Sequence, residues 1–111
     1  MNPTIDMVAE KYPQINVYLF ELDTEVISQF VRFLTVTLYI RQLLNRRVSA
    51  NEPYYDRIDT VDKALFNDIP PEDLYQILRY VIHSSCCYID DNEELTKEQK
   101  QNIIDYLVQF A

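Results

Sequence analysis

The chain has 111 residues, 18 of them acidic and 10 basic, which gives a formal net charge of −8, and it contains no glycine. Direct binding to nucleic acid is not expected, because phosphate recognition needs a basic face. Glycine-rich phosphate loops and the dinucleotide-binding fingerprint are excluded, since both depend on positive φ angles or a close approach of the backbone.

A chain of this length is typical of one domain, here residues 1–111, and a hydrophobic content of 48% is enough for a core without disulfides or metals. The only two cysteines are the neighbours Cys86 and Cys87, which favours a reducing, intracellular location in the cytoplasm or nucleus. The N-terminal sequence MNPTIDMVAEKY lacks a basic stretch followed by an apolar run, so no signal peptide is expected.

Two short elements precede the first long one. Asn2-Pro3 is typical of a helix start, and apolar residues at helical spacing follow until Pro13, which we expect to end that helix. Residues 14–22 are open to two interpretations. Their apolar side chains alternate as in a strand, but no second strand is available for pairing, so an extended segment and a short helical turn both fit.

A long helix, about 24–47, is predicted next, with Asp23 or Thr24 as its N-cap. A strand would place Arg32 on the apolar face, whereas a helix sorts polar and apolar residues onto separate faces. A membrane span is excluded because only eight residues separate Arg32 from Arg41, and a bilayer needs about 20 apolar residues. The apolar stripe of this helix comprises Val26, Phe30, Phe33, Ile40 and Leu44, flanked by Ile27, Val31, Leu34 and Leu38.

Three further helices are predicted. Asn51 and Pro53 mark the start of one at about 53–66, with Tyr54, Ile58, Val61 and Leu65 on one face. The next, about 71–89, is the most clearly amphipathic segment. The last, about 97–110, begins with a capping box formed by Thr96 and Gln99. The sequence therefore predicts an all-α fold, a small bundle of four principal helices (about 24–47, 53–66, 71–89 and 97–110) plus a short N-terminal element.

Residues 69–81, IPPEDLYQILRYV, resemble the opening of an F-box, whose first helix begins with Leu-Pro-Pro-Glu. The resemblance covers 13 of 111 residues, and the Arg-x-Trp-type ending of that family is missing because the chain has no tryptophan. The resemblance implies binding of a protein partner through the 69–81 helix. The matching residues are Pro70, Pro71, Glu72, Leu74, Ile77, Leu78, Tyr80 and Val81.

The sequence HSSCC is a candidate chemical site. On a helix, His83 and Cys87 lie one turn apart, but a structural zinc ion needs four ligands and no other His or Cys is available outside this short sequence. A catalytic Cys–His pair needs a third orienting group and an oxyanion hole, for which the sequence offers no motif. We therefore predict no catalytic, cofactor or metal site, and no enzyme.

Two features favour protein binding. The apolar arc of the long helix is wider than the stripe that one neighbouring helix buries, and Val36 and Leu43 add a patch on its other side. A central helix contacted by several neighbours is the alternative explanation. Several of the nine tyrosines lie at the edges of apolar stripes, as is common at interfaces. The candidate interface comprises Val36, Tyr39, Leu43, Tyr75, Arg79 and Tyr80.

The expected function is that of a non-enzymatic adaptor, assembly subunit or regulator that binds a protein partner or self-associates. No cofactor, small-molecule substrate, membrane or direct nucleic-acid contact is expected. An alternative is a small acidic inhibitor that presents negative surface to a nucleic-acid-binding protein, as small viral or phage proteins do. F-box-like binding of a protein partner through residues 69–81 is a second alternative.

Overall fold

The computed structural model describes residues 3–20 and 25–111. The all-α prediction is confirmed, since the described residues form helices and no strand. The predicted N-caps Asp23 and Thr24 lie outside the described residues. The elements are α1 (Pro3–Lys11), α2 (Pro13–Leu19), α3 (Val26–Leu43), two 3₁₀ helices (Tyr55–Thr60 and Lys63–Phe66), α4 (Pro71–Asp90) and α5 (Lys97–Val108).

Helix α4 is the element against which α1, α3 and α5 all pack. Its entry contains Pro70 and Pro71, and Glu72 and Asp73 occupy the first turn, where the helix dipole favours carboxylates. Burial of each large aliphatic side chain contributes about 1.5–3 kcal/mol, so this face stabilises three interfaces at once. The side chains on this face are buried throughout, at Leu74, Ile77, Leu78, Val81, Ser85 and Ile89.

The N-terminal segment forms two consecutive helices. Tyr12 Oη and Lys11 Nζ donate hydrogen bonds of 2.6 and 2.9 Å to Asp73 Oδ2, which link α1 to α4. The Tyr12 hydrogen bond, followed by that from Lys11, lowers the pKa of the Asp73 carboxyl. The open question about residues 14–22 is answered as far as Leu19, because Pro13–Leu19 is helical.

Helix α3 passes through the middle of the bundle. Its position matches the alternative explanation of its wide apolar arc, a central helix contacted by several neighbours. Every residue from Phe33 to Leu38 is buried, which requires neighbours on all sides, and α4, α2 and the first 3₁₀ helix supply them. The hydroxyls of Thr35 and Thr37 donate to the carbonyls of Val31 and Phe33, so their burial leaves no donor unpaired.

Helix α3 ends earlier than the predicted C-terminal boundary at about residue 47. The helix ends at Leu43, and Asn45 follows in the left-handed conformation with φ 56°. Its amide donates to the Gln42 carbonyl, and the amide of Arg46 donates to the Arg41 carbonyl. These two bonds form a Schellman motif, in which asparagine takes the position that glycine most often holds.

The predicted α-helix 53–66 is wrong. The segment forms two 3₁₀ helices separated by Val61 and Asp62, and the backbone of Val61 is extended. In one α-helix, Phe66 would point roughly 140° away from Val61, at 3.6 residues per turn. The break at Val61 lets Ile58, Val61 and Phe66 all reach the core. Thr60 Oγ1 also donates to the Arg57 carbonyl, competing with helix continuation.

Helix α5 begins as predicted. Thr96 Oγ1 accepts from the Gln99 amide and the Gln99 side chain accepts from the Thr96 amide, which confirms the capping box. The start of α5 is held to the end of α4, where Lys100 Nζ donates to the Asp90 carbonyl at 2.8 Å. Leu107 of α5 is fully buried in the core.

A buried arginine joins the far end of α5 to the end of α3. Arg41 Nη2 donates to the Arg47 carbonyl at 2.7 Å and lies 3.3 Å from Glu52 Oε1. The guanidinium stacks 3.6 Å from the centre of the Phe110 ring, and Tyr106 Oη donates to Glu52 Oε2. We call Arg41, Glu52, Tyr106 and Phe110 the arginine cluster. Burial, followed by the hydrogen bond to Glu52, raises the pKa of Tyr106 to about 12.

The Schellman motif predicts that position 45 tolerates glycine and rejects β-branched residues. Asn45→Val should lower the free energy of unfolding by about 1–2 kcal/mol relative to Asn45→Gly. The β-branched valine side chain clashes with the backbone in the left-handed conformation, whereas glycine has no side chain to clash. Urea unfolding of both variants measures the difference. Equal stabilities would show that residue 45 is not held at positive φ in solution.

The arginine cluster predicts a specific dependence of stability on alkaline pH. Tyr106→Phe should cost about 1–2 kcal/mol below pH 10, because Glu52 loses a donor. The folded-state pKa lies above the ordinary value of 10.0, so the contribution of this hydroxyl is complete below 10 and is lost as the pH rises towards 12. The stability difference between the two proteins should therefore shrink over this range. A constant difference in urea unfolding would contradict this coupling.

Candidate docking groove

Helices α3 and α5 leave a groove between them. Each packs against α4, but they make no extensive contact with each other. Two adjoining depressions, of about 90 and 290 Å³, lie along this line and share Phe30 and Ile103 as lining residues. We call the whole feature the α3–α5 groove. It is lined by Val26, Ile27, Phe30 and Leu34 on one side, by Asn102, Ile103 and Tyr106 on the other, by Tyr88, Ile89, Asn92 and Leu95 from α4 and the connection after it, and by Pro53 and Tyr54.

The groove is apolar and open. Ile27 is 60% exposed and Val26 45% exposed, on the first turns of a helix whose middle is fully buried. Phe30 and Ile103 are half-buried against the core from opposite walls. The other described residues cover the large apolar side chains in this arrangement incompletely.

Tyr54 closes one end of the groove with an unusual backbone. Its φ of 61° is left-handed, which costs a bulky residue about 1–2 kcal/mol relative to glycine. The tyrosine ring lines the groove beside Pro53 and Tyr106. A strained residue that presents a large side chain to an open surface is more common at functional sites than elsewhere.

The other end of the groove is acidic. Glu25, Asp91, Glu93 and Glu94 line a broad depression of about 590 Å³ together with Val26, Ile27 and Asn92. Asn92 Oδ1 accepts the backbone amide of Glu94 at 2.9 Å, which fixes the turn that carries these carboxylates. We call Glu25, Asp91, Glu93 and Glu94 the acidic end of the groove.

A further cavity of about 400 Å³ adjoins the acidic end and includes His83 and Cys87 among its lining residues. The Cys87 sulfur lies 4.0 Å from His83 Nε2, as the one-turn spacing predicts. Burial raises the pKa of the neighbouring Cys86 thiol, which reduces its thiolate fraction. Within residues 3–20 and 25–111, no three His, Cys, Asp or Glu side chains are grouped so that they could hold a metal ion.

The structure places the predicted interface residues away from the groove. Val36 is fully buried at the centre of the bundle, so its assignment to a binding surface is corrected: the neighbours of α3 cover both of its faces. Tyr39 is half-buried, with its ring 5.3 Å from that of Phe66. Leu43 is 37% exposed at the end of α3.

The three residues predicted on α4 also make contacts within the chain. The Arg46 guanidinium lies 5.0 Å from the centre of the Tyr75 ring. Tyr80 donates a hydrogen bond to Asn16 Oδ1, and burial raises the pKa of its hydroxyl. Arg79 is half-buried. The six residues are not brought together at one surface depression, and none of them lines the α3–α5 groove.

The groove residues were missed from sequence because Val26, Ile27 and Phe30 belong to the predicted apolar stripe and its flank. Such a stripe indicates core wherever a neighbour covers it. The useful signal was the width of the apolar arc on this helix. It indicated more apolar surface than the chain covers, but the uncovered part is at the start of α3 rather than at Val36.

Comparisons with protein-family models, with curated proteins and with solved structures give no match. Within the part of the chain that the structure describes, no helix has the length and apolar character needed to cross a membrane.

Aspartate substitutions should separate the open groove from the core. Ile27→Asp should change the free energy of unfolding by no more than about 0.5 kcal/mol, because position 27 is exposed and near a helix start. Val36→Asp should abolish cooperative folding, since it buries an unpaired charge. Circular dichroism with urea unfolding measures both. A comparable loss in Ile27→Asp would show that the start of α3 is covered in solution.

Proposed function

We propose that this chain is a non-enzymatic protein-interaction domain, an adaptor, assembly subunit or regulator, whose binding surface is the α3–α5 groove. The observation that carries the proposal is the exposure of Ile27 and Val26 beside an apolar groove walled by two helices. Contiguous apolar surface that the chain leaves uncovered is a feature of protein–protein interaction sites.

The shape of the groove supports a helical occupant. α3 and α5 run in the same direction, since their starts lie near the end of α4 and their ends meet at the arginine cluster. α4 lies beneath them. A helix laid between two helices over a third would complete a layer of the bundle, as in helix-in-groove recognition. α5 has 12 residues, about 18 Å at 1.5 Å per residue, so the groove fits an occupant of about three turns.

The aromatic content of the groove also suits binding. Phe30, Tyr54, Tyr88 and Tyr106 contribute rings to its lining. Aromatic residues are enriched among the side chains that dominate binding energy, because they bury large areas at low cost in side-chain entropy. Tyr106 is already positioned by the arginine cluster, so less ordering is required when a partner binds.

We propose an intracellular location, cytoplasm or nucleus, because Cys86 and Cys87 are both free thiols. The alternative of an acidic inhibitor of a nucleic-acid-binding protein would act through surface carboxylates and would lose its partner at high salt. Binding through the apolar groove would persist at high salt. F-box-like binding through residues 69–81 would have to use the outer face of α4, because Leu74, Ile77 and Leu78 are buried within the chain.

Site-specific photo-crosslinking tests this function. A photo-reactive amino acid at Ile27 should crosslink the chain to a discrete protein in its native cells. The same amino acid at Val17, which is 64% exposed against 60% for Ile27, serves as the matched control on α2. Capture that depends on position 27 and is abolished by a second substitution in the groove, Ile103→Asp, supports the proposal. Identical products from both positions, or capture unaffected by Ile103→Asp, would contradict it.

A further inference from the structure

We propose that the occupant of the α3–α5 groove is an amphipathic helix of another protein, with an apolar face that fills the groove and lysine or arginine residues at the acidic end. This inference rests on the proposed function and adds the chemistry of the partner. It is carried by the juxtaposition of apolar walls and an acidic end along one continuous surface.

The charge at the acidic end has one sign. The four carboxylates line the depression around Val26 and Ile27, and among the described residues no lysine or arginine lines any of the depressions along the groove. The start of α5 carries two lysines, of which Lys100 is engaged by the Asp90 carbonyl and Lys97 is exposed. Basic residues on a partner would therefore meet an excess of carboxylates as they approach.

The helix dipoles do not change this conclusion. The C-terminus of α4 brings partial negative charge to the acidic end, while the N-termini of α3 and α5 bring partial positive charge. Their sum is about half a positive charge, so the four full negative charges determine the potential. Electrostatic complementarity of this kind increases the rate of association and selects the partner, and the apolar contact provides the affinity.

Other occupants fit less well. A second copy of this chain carries the same net charge of −8, so pairing two acidic ends would bring like charges together. An anionic membrane surface would be repelled by the same carboxylates. A basic amphipathic helix satisfies both the apolar walls and the acidic end.

Two synthetic helical peptides provide the test. Both carry the same leucine face over about 12–18 residues, and they differ only in having lysine or glutamate on the polar face. Fluorescence anisotropy should show that the lysine peptide binds at least about tenfold more tightly than the glutamate peptide at low salt, with the ratio falling as salt is added.

Matched variants of the protein locate the interaction. Glu93→Lys combined with Glu94→Lys should abolish the preference for the lysine peptide, because two lysines then balance the remaining carboxylates of Glu25 and Asp91. Glu10→Lys combined with Glu72→Lys makes the same change in net charge at exposed positions near the start of α4 and the end of α1, and should leave the preference largely intact. Ile27→Asp should weaken binding of the lysine peptide, and Val17→Asp should not.

The possible results separate the two proposals. If Ile27→Asp weakens both peptides equally and neither is preferred, the groove binds a helix but the basic chemistry is wrong. If crosslinking at Ile27 captures a protein but neither peptide binds, the amphipathic helix is wrong and the proposed function stands. If the lysine peptide binds the Ile27→Asp variant unchanged, the interaction is a general surface attraction and both proposals lose support. A doubled molar mass that falls on Ile27→Asp would identify a second copy as the occupant and overturn this inference.

Discussion

The burial of Arg41 is the constraint on which the arrangement of the bundle depends. Arg41 is only 4% exposed, so its charge must be paired, because an isolated buried charge is strongly destabilising. Its pairing draws in Glu52 and the Arg47 carbonyl from the connection after α3, and the Phe110 ring from the end of the chain. One side chain therefore brings together the end of α3, the following connection and the end of α5.

The groove follows from this connection. The ends of α3 and α5 are joined through the arginine cluster, while the start of α5 is held to the end of α4 by Lys100. Pro53 and Tyr54 lie between the helices at the joined end. The two helices are thus held in position with few direct contacts between them, and the apolar surface between them stays open towards the acidic end. The groove is a consequence of how the helices are anchored.

Local patterns in the sequence were sufficient for α4 and α5. A proline entry, acidic first turn and regular apolar stripe define α4, and the capping box defines the start of α5. The prediction of an α-helix at 53–66 is wrong because the apolar spacing of this segment suits a helix. Burial of both Val61 and Phe66 requires a break in the helix, which only tertiary packing reveals. The sequence predicts Val36 at the surface because it does not show that α3 is surrounded. It indicates Arg41 only as a charge that excludes a membrane span, since the partners Glu52 and Phe110 lie in other elements. The groove combines residues from α3, α4 and α5, so no single periodicity could predict it.

Backbone amide NMR of the chain, titrated with the lysine-faced amphipathic peptide, tests directly whether the α3–α5 groove is the binding surface. The largest chemical-shift changes should occur at Ile27, Phe30, Ile103 and Tyr106 and extend to Glu93 and Glu94, with little change at Val17. Changes concentrated instead at Leu43, Tyr75 and Arg79, with the groove unaffected, would show that the partner surface lies on the outer faces of α3 and α4 and would contradict the assignment of the α3–α5 groove.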